Sequence, residues 1–200
     1  MFNLFILSLI MLLGYIIGSL NFAIIFSKLR KDDIRRHGSH NAGATNILRT
    51  YGKLPALLVF LLDISKGIIA VMLVRFAFNA DELMECAAAL GAIIGHNYPL
   101  FYGFRGGKGV STSFAVLLVL HWEVALISLF VFIITVLVSR YVSLSSILAS
   151  FGAIVSSFLI YNASVFSCFC LIIGLLCIMR HKRNIIRLLS GKERRLGYRG

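Results

Sequence analysis

The sequence is poor in charged residues and especially poor in acidic ones. Only 14% of its 200 residues are charged, whereas 59% are hydrophobic and the mean hydropathy is +0.91. A water-soluble globule needs more surface charge than this, so the composition excludes that class. The apolar stretches are long enough to cross a bilayer as helices, and they do not alternate as the strands of a membrane barrel do. The composition therefore predicts an all-α integral membrane protein.

The four cysteines lie in apolar stretches and are not arranged as ligands or redox pairs. No C-x-x-C pair and no His/Cys spacing typical of a metal site is present. We therefore expect buried apolar cysteines, no metal and no cofactor. No cleavable signal is expected either, because the first apolar stretch lacks a preceding basic region and is too long for a signal peptide.

The charge that is present is mostly basic and is clustered. There are 20 Lys and Arg against 8 Asp and Glu, and 17 of the 20 lie in residues 28–53, 103–109 and 180–200. Basic loops stay in the cytoplasm, so these three segments are expected on one side of the membrane, with Asp81 and Glu82 on the other. Because topology alone accounts for this clustering, we expect no nucleic-acid partner.

The order of apolar and polar segments predicts seven transmembrane helices, with the N-terminus outside and the C-terminus in the cytoplasm. Because the basic tail must lie inside, the chain after the glycine-rich segment crosses an even number of times, and two crossings would leave too many apolar residues unplaced. One helix near 110–121 is too short to span the bilayer unaided. The predicted helices cover 3–27, 54–78, 84–102, 110–121, 124–139, 143–161 and 163–179, in a single domain of residues 1–200.

This topology brings four polar pieces to the cytoplasmic face. They are residues 37–49, 95–112, 140–146 and 180–187. We expect their convergence to form the functional site.

The second polar piece is dense in glycine and reads GHNYPLFYGFRGGKGVST. Gly106 and Gly107 precede Lys108, so close backbone N–H groups and a fixed positive charge are available to a phosphate. A P-loop is excluded, because too few residues separate the glycines and Gly109 follows the lysine where Ser or Thr is required. An ordinary cytoplasmic turn would have a similar composition, and the loop alone does not exclude it.

The first polar piece carries small residues and hydrogen-bond donors suited to a phosphate or glycerol pocket. These donors are Ser39, Asn41, Thr45 and Asn46, and Arg49 would share a helical face with Asn46. If residues 44–49 open a helix, its first N–H groups add an anion site. The alternative is a capped cytoplasmic helix with basic residues at the interface.

The last two polar pieces carry a histidine, an asparagine and two serines. His181 lies where the seventh helix ends, and Asn184 follows at helical spacing, so the histidine is a candidate acid, base or hydrogen-bond donor. Ser143 and Ser146 are three apart at the start of the sixth helix. Plain interfacial polarity for the histidine and packing for the serines are the alternatives.

Two charged residues, Asp63 and Lys66, fall at membrane depth in the second predicted helix. Unpaired charges there are costly, so we expect these two to pair with each other or with a neighbour. We interpret them as a structural pair near the site.

Three motifs occur in order along the chain: G-S-x-N-x-G-A-T-N-x-x-R, G-H-x-x-P-x-F-x-G-F-R-G-G-K-G and R-H-x-x-N-I-x-R, at 38–49, 95–109 and 180–187. With D-x-x-K-G at 63–67 and R-Y-V-S-L-x-S at 140–146, they resemble the PlsY family of bacterial membrane acyl-phosphate:glycerol-3-phosphate acyltransferases. The resemblance covers nearly the whole chain, and the combination is far more specific than any motif alone.

The resemblance implies transfer of a fatty acyl group from acyl phosphate to the 1-hydroxyl of glycerol 3-phosphate. The products are lysophosphatidic acid and inorganic phosphate, at the first acylation of phospholipid synthesis. In agreement, no histidine here is followed five residues later by aspartate, as in other glycerol-phosphate acyltransferases. The implied partners are the two substrates, membrane lipid and, functionally, an enzyme that makes acyl phosphate. The implied location is the bacterial inner membrane, with the active site at the cytoplasmic face.

The resemblance also implies roles for individual residues. The acyl-phosphate site would use Ser39, Thr45, Lys108, His181 and one serine of the pair Ser143 and Ser146. Glycerol 3-phosphate would be held by Arg49, Lys108 and Asn184, and the predicted set is completed by Asn41, Asn46, His96, Gly106 and Gly107. Lys108 and the amides of Gly106 and Gly107 would stabilise developing charge. Ser39, Lys108 and His181 are the predicted catalytic residues, and direct attack by the glycerol hydroxyl is expected rather than an acyl-enzyme.

Two positions depart from the family pattern, and one rival function is kept. His40 stands where the family usually has glycine, and Arg105 where lysine is common.

The rival is an anion or phosphate-ester transporter, which Asp63 and Lys66 would suit. Against it, we expect no broken helix pair at the membrane midplane. The oligomeric state is not predicted.

Overall fold

The computed structural model describes residues 4–197, which contain helices and no strand. Asn3, the first residue of the first predicted helix, and Arg199 of the basic tail lie outside the described residues. The contacts within the chain divide it into two compact units, Met1–Val119 and Leu120–Gly200. Each unit is described by itself.

The first unit holds six α-helices and two short 3₁₀ helices, Ile34–Arg36 and Leu100–Tyr102. The α-helices are α1 (Leu4–Gly18), α2 (Phe22–Leu29), α3 (Ala44–Tyr51), α4 (Lys53–Phe78), α5 (Glu82–Asn97) and α6 (Val110–Leu120). Helix α6 has 11 residues, which confirms the short helix predicted near 110–121. Helix α5 ends earlier than predicted, because Pro99 lacks an N–H and restricts the residue before it.

The first predicted span is two helices and not one. The chain breaks between α1 and α2, where Asn21 caps α2 by accepting a hydrogen bond from the Ile24 amide at 3.1 Å. The Leu20 carbonyl, left without a helical partner, accepts from Lys66 Nζ at 2.8 Å. The two helices together still give one apolar candidate span, Leu4–Leu29.

Helices α1 and α5 pack at unusually short distance because glycines face the neighbouring backbone. A Cβ added to Gly14 would lie 2.1 Å from the Ala88 carbonyl oxygen, and one added to Gly91 would lie 2.1 Å from that of Met11. Small residues are the usual means by which membrane helices approach this closely. This contact fixes the end of α5 that carries His96.

The second unit is a run of three long helices followed by a short one. They are α7 (Trp122–Ser139), α8 (Val142–Tyr161), α9 (Val165–Arg180) and α10 (Lys182–Leu189). Helices α9 and α10 meet at His181 with a bend of 58°. Neither this bend nor the break between α1 and α2 is expected from the sequence.

Four of the described helical segments are long and apolar enough to cross a membrane. They are Leu4–Leu29, Lys53–Phe78, Trp122–Ser139 and Val142–Tyr161, and the bent pair of α9 and α10 would make five. Helices α5, α6 and α9, with 16, 11 and 16 residues, occupy the other positions predicted to span. The integral membrane class follows from these apolar helices.

Candidate active site

The loop before α3 is organised by one buried amide, that of Asn46. Its Nδ2 donates to the carbonyls of Ile34, His37 and Asn41 at 3.0–3.1 Å, and its Oδ1 accepts from the Ser39 amide at 2.9 Å. The Asn46 side chain is thus occupied by the loop itself. Its geometry is that of a residue that positions Ser39, rather than of a direct ligand.

The other candidate residues of the first polar piece, residues 37–49, lie on or beside α3. Asn41, Thr45 and Arg49 are half-buried, and α3 begins at Ala44, as the sequence led us to expect. Ser39 is also half-buried, in the turn that Asn46 holds.

His40 occupies a backbone conformation that favours glycine. Its φ is +59°, in the left-handed region that L side chains rarely adopt. The imidazole Nδ1 donates to the Arg35 carbonyl at 3.1 Å. This contact within the loop offsets part of the backbone cost of having histidine at this position.

Arg35 ties this loop to the glycine-rich segment. Its guanidinium bonds Asp33 through Nε and Nη2, and its Nη1 donates to the carbonyls of Tyr102 at 2.7 Å and Arg105 at 3.3 Å. The hydrogen bond from Arg35 is the largest influence on the Asp33 carboxyl and holds its pKa below the ordinary value. One ion pair therefore positions both polar pieces of the first unit.

A second carboxylate, Asp32, connects the same loop to α3 through hydrogen bonds. It accepts from the Tyr51 hydroxyl at 2.5 Å and contacts His37 Nε2 at 2.8 Å. The hydrogen bond from Tyr51, followed by that from His37, lowers the pKa of Asp32 to about 2. Burial, followed by the bond to Asp32, raises the pKa of Tyr51 to about 12. The carboxylate and the hydroxyl donor thus persist across the physiological pH range.

The glycine-rich segment folds back onto the end of α5. The Gly106 amide donates to the Asn97 carbonyl at 3.2 Å, and the Gly107 amide donates to the His96 carbonyl at 3.0 Å. The expectation that these two amides face a substrate therefore needs correction, because backbone carbonyls already accept from both. The glycines are needed instead for space: a Cβ on Gly107 would lie 2.0 Å from His96 Nε2, and one on Gly106 would lie 2.1 Å from the His96 carbonyl oxygen.

Lys108 follows this fold-back and is half-buried. The next residue, Gly109, has φ of +80°, which glycine adopts without strain, and α6 begins immediately after it. The position of the lysine is thus set by the hydrogen bonds before it and by the helix after it.

Beneath the glycines lies the membrane-buried ion pair that the sequence predicted. Lys66 Nζ forms an ion pair with Asp63 Oδ1 at 2.9 Å, and both residues are at most 2% exposed. Lys66 also donates to His96 Nδ1 at 3.0 Å. This contact is shorter than the 3.5 Å between Nδ1 and Asp63 Oδ1, and an ammonium group only donates, so Nδ1 accepts and Nε2 carries the proton. His96 therefore supports the glycine loop from below.

In the second unit, His181 is buried at the bend between α9 and α10. Its Nδ1 donates to the Cys177 carbonyl at 2.8 Å. A carbonyl only accepts, so the neutral ring has its lone pair on Nε2. The bend thus holds a histidine in the tautomer that can accept a proton or a hydrogen bond at Nε2.

Ser143 and Asn184 meet on a carboxylate that sequence reasoning missed. Ser143 Oγ donates to Glu193 Oε1 at 2.8 Å, and Asn184 Nδ2 donates to the same oxygen at 2.7 Å. Ser146 donates to the Val142 carbonyl within its own helix at 2.9 Å. Glu193 stands in the basic run K-E-R-R, where it looks like a solvated tail residue. The sequence gives one indication that Glu193 is special: it is the only acidic residue after Val165, where α9 begins.

The chain is similar to the members of one protein family along most of its length. The family model described as glycerol-3-phosphate acyltransferase matches residues 8–191. The glycerol-3-phosphate acyltransferase of Halalkalibacterium halodurans is 45% identical over 191 residues, which is 92% of each chain. That of Aquifex aeolicus is 40% identical over 187 residues, covering 93% of this chain and 97% of the relative.

Two solved structures are similar over almost the whole chain. A crystal structure of PlsY (YgiH), described as an integral membrane glycerol 3-phosphate acyltransferase, in its glycerol 3-phosphate form, has a TM-score of 0.89 and 39% identity, with 96% of each chain covered. The lysophosphatidic acid form has a TM-score of 0.85 and 38% identity, covering 96% of this chain and 95% of that one.

Proposed function

The chain belongs to the glycerol-3-phosphate acyltransferase family, and from this premise we propose that it transfers a fatty acyl group from acyl phosphate to the 1-hydroxyl of glycerol 3-phosphate. The glycerol oxygen forms a bond to the acyl carbonyl carbon, and the bond from that carbon to the phosphate oxygen breaks. The products are 1-acyl-glycerol 3-phosphate and inorganic phosphate, and the hydroxyl proton leaves with the phosphate. The observation that carries the proposal is the full-length similarity to a structure in a glycerol 3-phosphate form.

Lys108 carries the largest part of the proposed catalysis. Charge develops on the carbonyl oxygen and on the departing phosphate, and a fixed ammonium group stabilises both. The fold-back of Gly106 and Gly107 onto α5 places this lysine. The same residue is assigned to both substrates: Ser39, Thr45, His181 and a serine of the pair Ser143 and Ser146 join it at acyl phosphate, and Arg49 and Asn184 join it at glycerol 3-phosphate.

His181 orients the attacking hydroxyl. Its Nδ1 is committed to the Cys177 carbonyl, so Nε2 is the nitrogen that accepts the glycerol O–H. Phosphate is a good leaving group, so the hydroxyl attacks directly and no acyl-enzyme is required. His96, Asn41 and Asn46 support the binding loops.

The proposed topology has seven spans, with the N-terminus outside and the C-terminus in the cytoplasm. It counts α5, α6 and α9 as spans and treats α1 with α2 as one, within one functional domain of residues 1–200. The three basic segments support it, because basic loops stay inside. The polar pieces of each unit would then lie at the cytoplasmic face of the bacterial inner membrane, and an enzyme that makes acyl phosphate would supply the acyl donor.

A phosphate-ester transporter is the second candidate, and the broken helices favour it, since transporters bind substrates at such breaks. At the first break, however, Lys66 satisfies the Leu20 carbonyl and Asn21 caps α2. The break is therefore closed by the protein's own side chains, which favours the enzyme.

The two functions are separated by chemistry in detergent solution, where no transport is possible. Purified protein should release inorganic phosphate from a long-chain acyl phosphate only when glycerol 3-phosphate is added, and should not use acyl-CoA. Absence of 1-acyl-glycerol 3-phosphate with either donor would overturn the enzyme, and equal formation of it from acyl-CoA would overturn the proposed donor. Lys108→Met should lower kcat by about 10²–10³-fold, since it removes one charge-stabilising group, whereas Arg105→Met, at an exposed side chain, is the matched control.

A further inference from the structure

The end of the chain returns to the start of α8 and places a carboxylate there. The Leu196 amide donates to the Arg140 carbonyl at 2.6 Å, and Arg195 Nε donates to the Tyr141 hydroxyl at 3.3 Å. Glu193 lies between these contacts and α10, and is only 9% exposed. The carboxylate is therefore held by the fold.

Glu193 collects hydrogen bonds from two helices. Its Oε1 accepts from Ser143 on α8 and from Asn184 on α10, and its Oε2 accepts from Arg187 Nε at 2.7 Å. Burial raises the pKa of this carboxyl, but the bonds from Arg187, Asn184 and Ser143 outweigh burial, and the net pKa lies below its ordinary value. The group is a carboxylate at neutral pH, and a carboxylate only accepts.

The Glu193 carboxylate therefore determines which hydrogen-bonding groups Ser143 and Asn184 can offer a substrate. Ser143 has one hydroxyl hydrogen, which goes to Glu193, so its Oγ presents only lone pairs elsewhere. Asn184 must turn its NH₂ end toward Glu193, which sets the plane of the amide. A phosphate oxygen needs a donor, whereas a glycerol hydroxyl can donate to a lone pair.

We propose that Glu193 is a positioning residue for glycerol 3-phosphate, fixing the Asn184 amide and making Ser143 an acceptor for a glycerol hydroxyl rather than a donor to a phosphate. The inference rests on the proposed function, because Ser143 and Asn184 are substrate contacts only in that account. It assigns Ser143 to the glycerol part of the pocket, which leaves Ser146 as the serine of the pair at acyl phosphate. It also gives the C-terminal tail a role in substrate recognition.

The test is the kinetics of Glu193→Gln in the full-length protein. The carboxamide has one acceptor oxygen and one NH₂ group, and the charged Arg187 donor is best satisfied by the oxygen. The NH₂ group then faces Ser143 and Asn184, which lose their common acceptor. The KM for glycerol 3-phosphate should rise at least about tenfold, the loss typical of a hydrogen bond to a charged group. The KM for acyl phosphate should stay within about twofold of wild type, because that substrate does not use this oxygen.

Arg195→Gln is the matched control, since it loosens the tail at Tyr141 but leaves the carboxylate. It should leave both KM values within about twofold of wild type. The inference is overturned if the two variants behave alike, if both KM values rise together in Glu193→Gln, or if neither changes. A lower KM for glycerol 3-phosphate in Glu193→Gln would also overturn it, by showing that the carboxylate competes with the substrate.

Thermal unfolding of both variants checks that they are folded. Measurements on the wild type distinguish a failure of the proposed function from a failure of the role proposed for Glu193. If wild-type protein neither binds glycerol 3-phosphate by calorimetry nor releases phosphate, the proposed function fails and this inference falls with it. If the wild type does both and Glu193→Gln is unchanged, only the role of Glu193 is lost.

Discussion

At the residue scale, the conformation of the glycine-rich segment depends on the buried residues that support it, which are His96, Lys66 and Asp63. His96 supports Gly107 from below, and Lys66 holds the imidazole with its Nε2 proton toward the loop. The lysine is in turn paired with Asp63. The glycine-rich segment thus rests on a buried ion pair.

Gly107→Ala should abolish turnover, because its Cβ would lie 2.0 Å from His96 Nε2 and must displace the ring or the loop. Gly103→Ala is the control in the same segment: its φ is +66°, and its Cβ would meet nothing within 4 Å. Its cost is backbone strain alone, of about 1 kcal/mol. Phosphate-release rates of the two purified variants make the comparison, and similar rates would contradict the packing described for Gly107.

Lys66→Met should destabilise the protein strongly, by about 3–5 kcal/mol, because it leaves the Asp63 carboxylate buried without its cation. Asp63→Leu combined with Lys66→Met should recover much of that loss, since no unpaired charge then remains. Denaturant unfolding in detergent measures both. A double variant as unstable as the single one would show that the pair does not act as an ion pair.

At the scale of elements, the loop before α3 depends on one hydrogen-bonded carboxylate. The folded-state pKa of Asp32, about 2, lies below its ordinary value of 3.8. A depressed carboxyl pKa contributes stability that is present above the ordinary pKa and is lost as the pH falls toward the folded pKa.

Tyr51→Phe removes the largest cause of that depression and keeps the edge-on ring contact with Phe26. The wild type should therefore be more stable than the variant above about pH 4, and the gap should close as the pH falls to about 2. Melting temperatures of the two proteins across this range give the measurement. A gap that does not depend on pH would exclude Asp32 as its source.

Alanine substitutions at two helical glycines, Gly91 and Gly152, test the contact between α1 and α5. Gly91→Ala puts a Cβ 2.1 Å from the Met11 carbonyl oxygen, a backbone atom that cannot turn away, whereas Gly152→Ala meets only a Val131 methyl group at 3.2 Å. Both changes raise helix propensity by up to about 1 kcal/mol. Gly91→Ala should thus lower the melting temperature while Gly152→Ala leaves it near wild type. Equal effects would contradict the close approach of the two helices.

The sequence predicts the long helices well, because their apolar stretches define them locally. It misses the break between α1 and α2, since the partner that satisfies the Leu20 carbonyl is Lys66, distant in the chain. It misses Glu193 for the same reason: among basic tail residues, nothing local shows that the carboxylate is buried against Ser143 and Asn184. It also assigns the Gly106 and Gly107 amides to a substrate, because their backbone acceptors at the end of α5 depend on how the loop folds back.

At the scale of the whole molecule, the account requires residues of both units to act on one reaction. Ser39 and Lys108 belong to the first unit, and His181 belongs to the second. Each unit presents an organised set of polar groups, and the proposed mechanism needs both sets at one acyl phosphate.

The most direct test of this requirement is a double-mutant cycle on kcat/KM for Ser39→Ala and His181→Gln, measured as phosphate release dependent on glycerol 3-phosphate. If both residues act at one site, each single variant should lose on the order of 10²-fold, and the double variant should lose clearly less than the product of the two. Losses that multiply fully, or single variants that keep near wild-type rates, would contradict the assignment of both residues to one reaction.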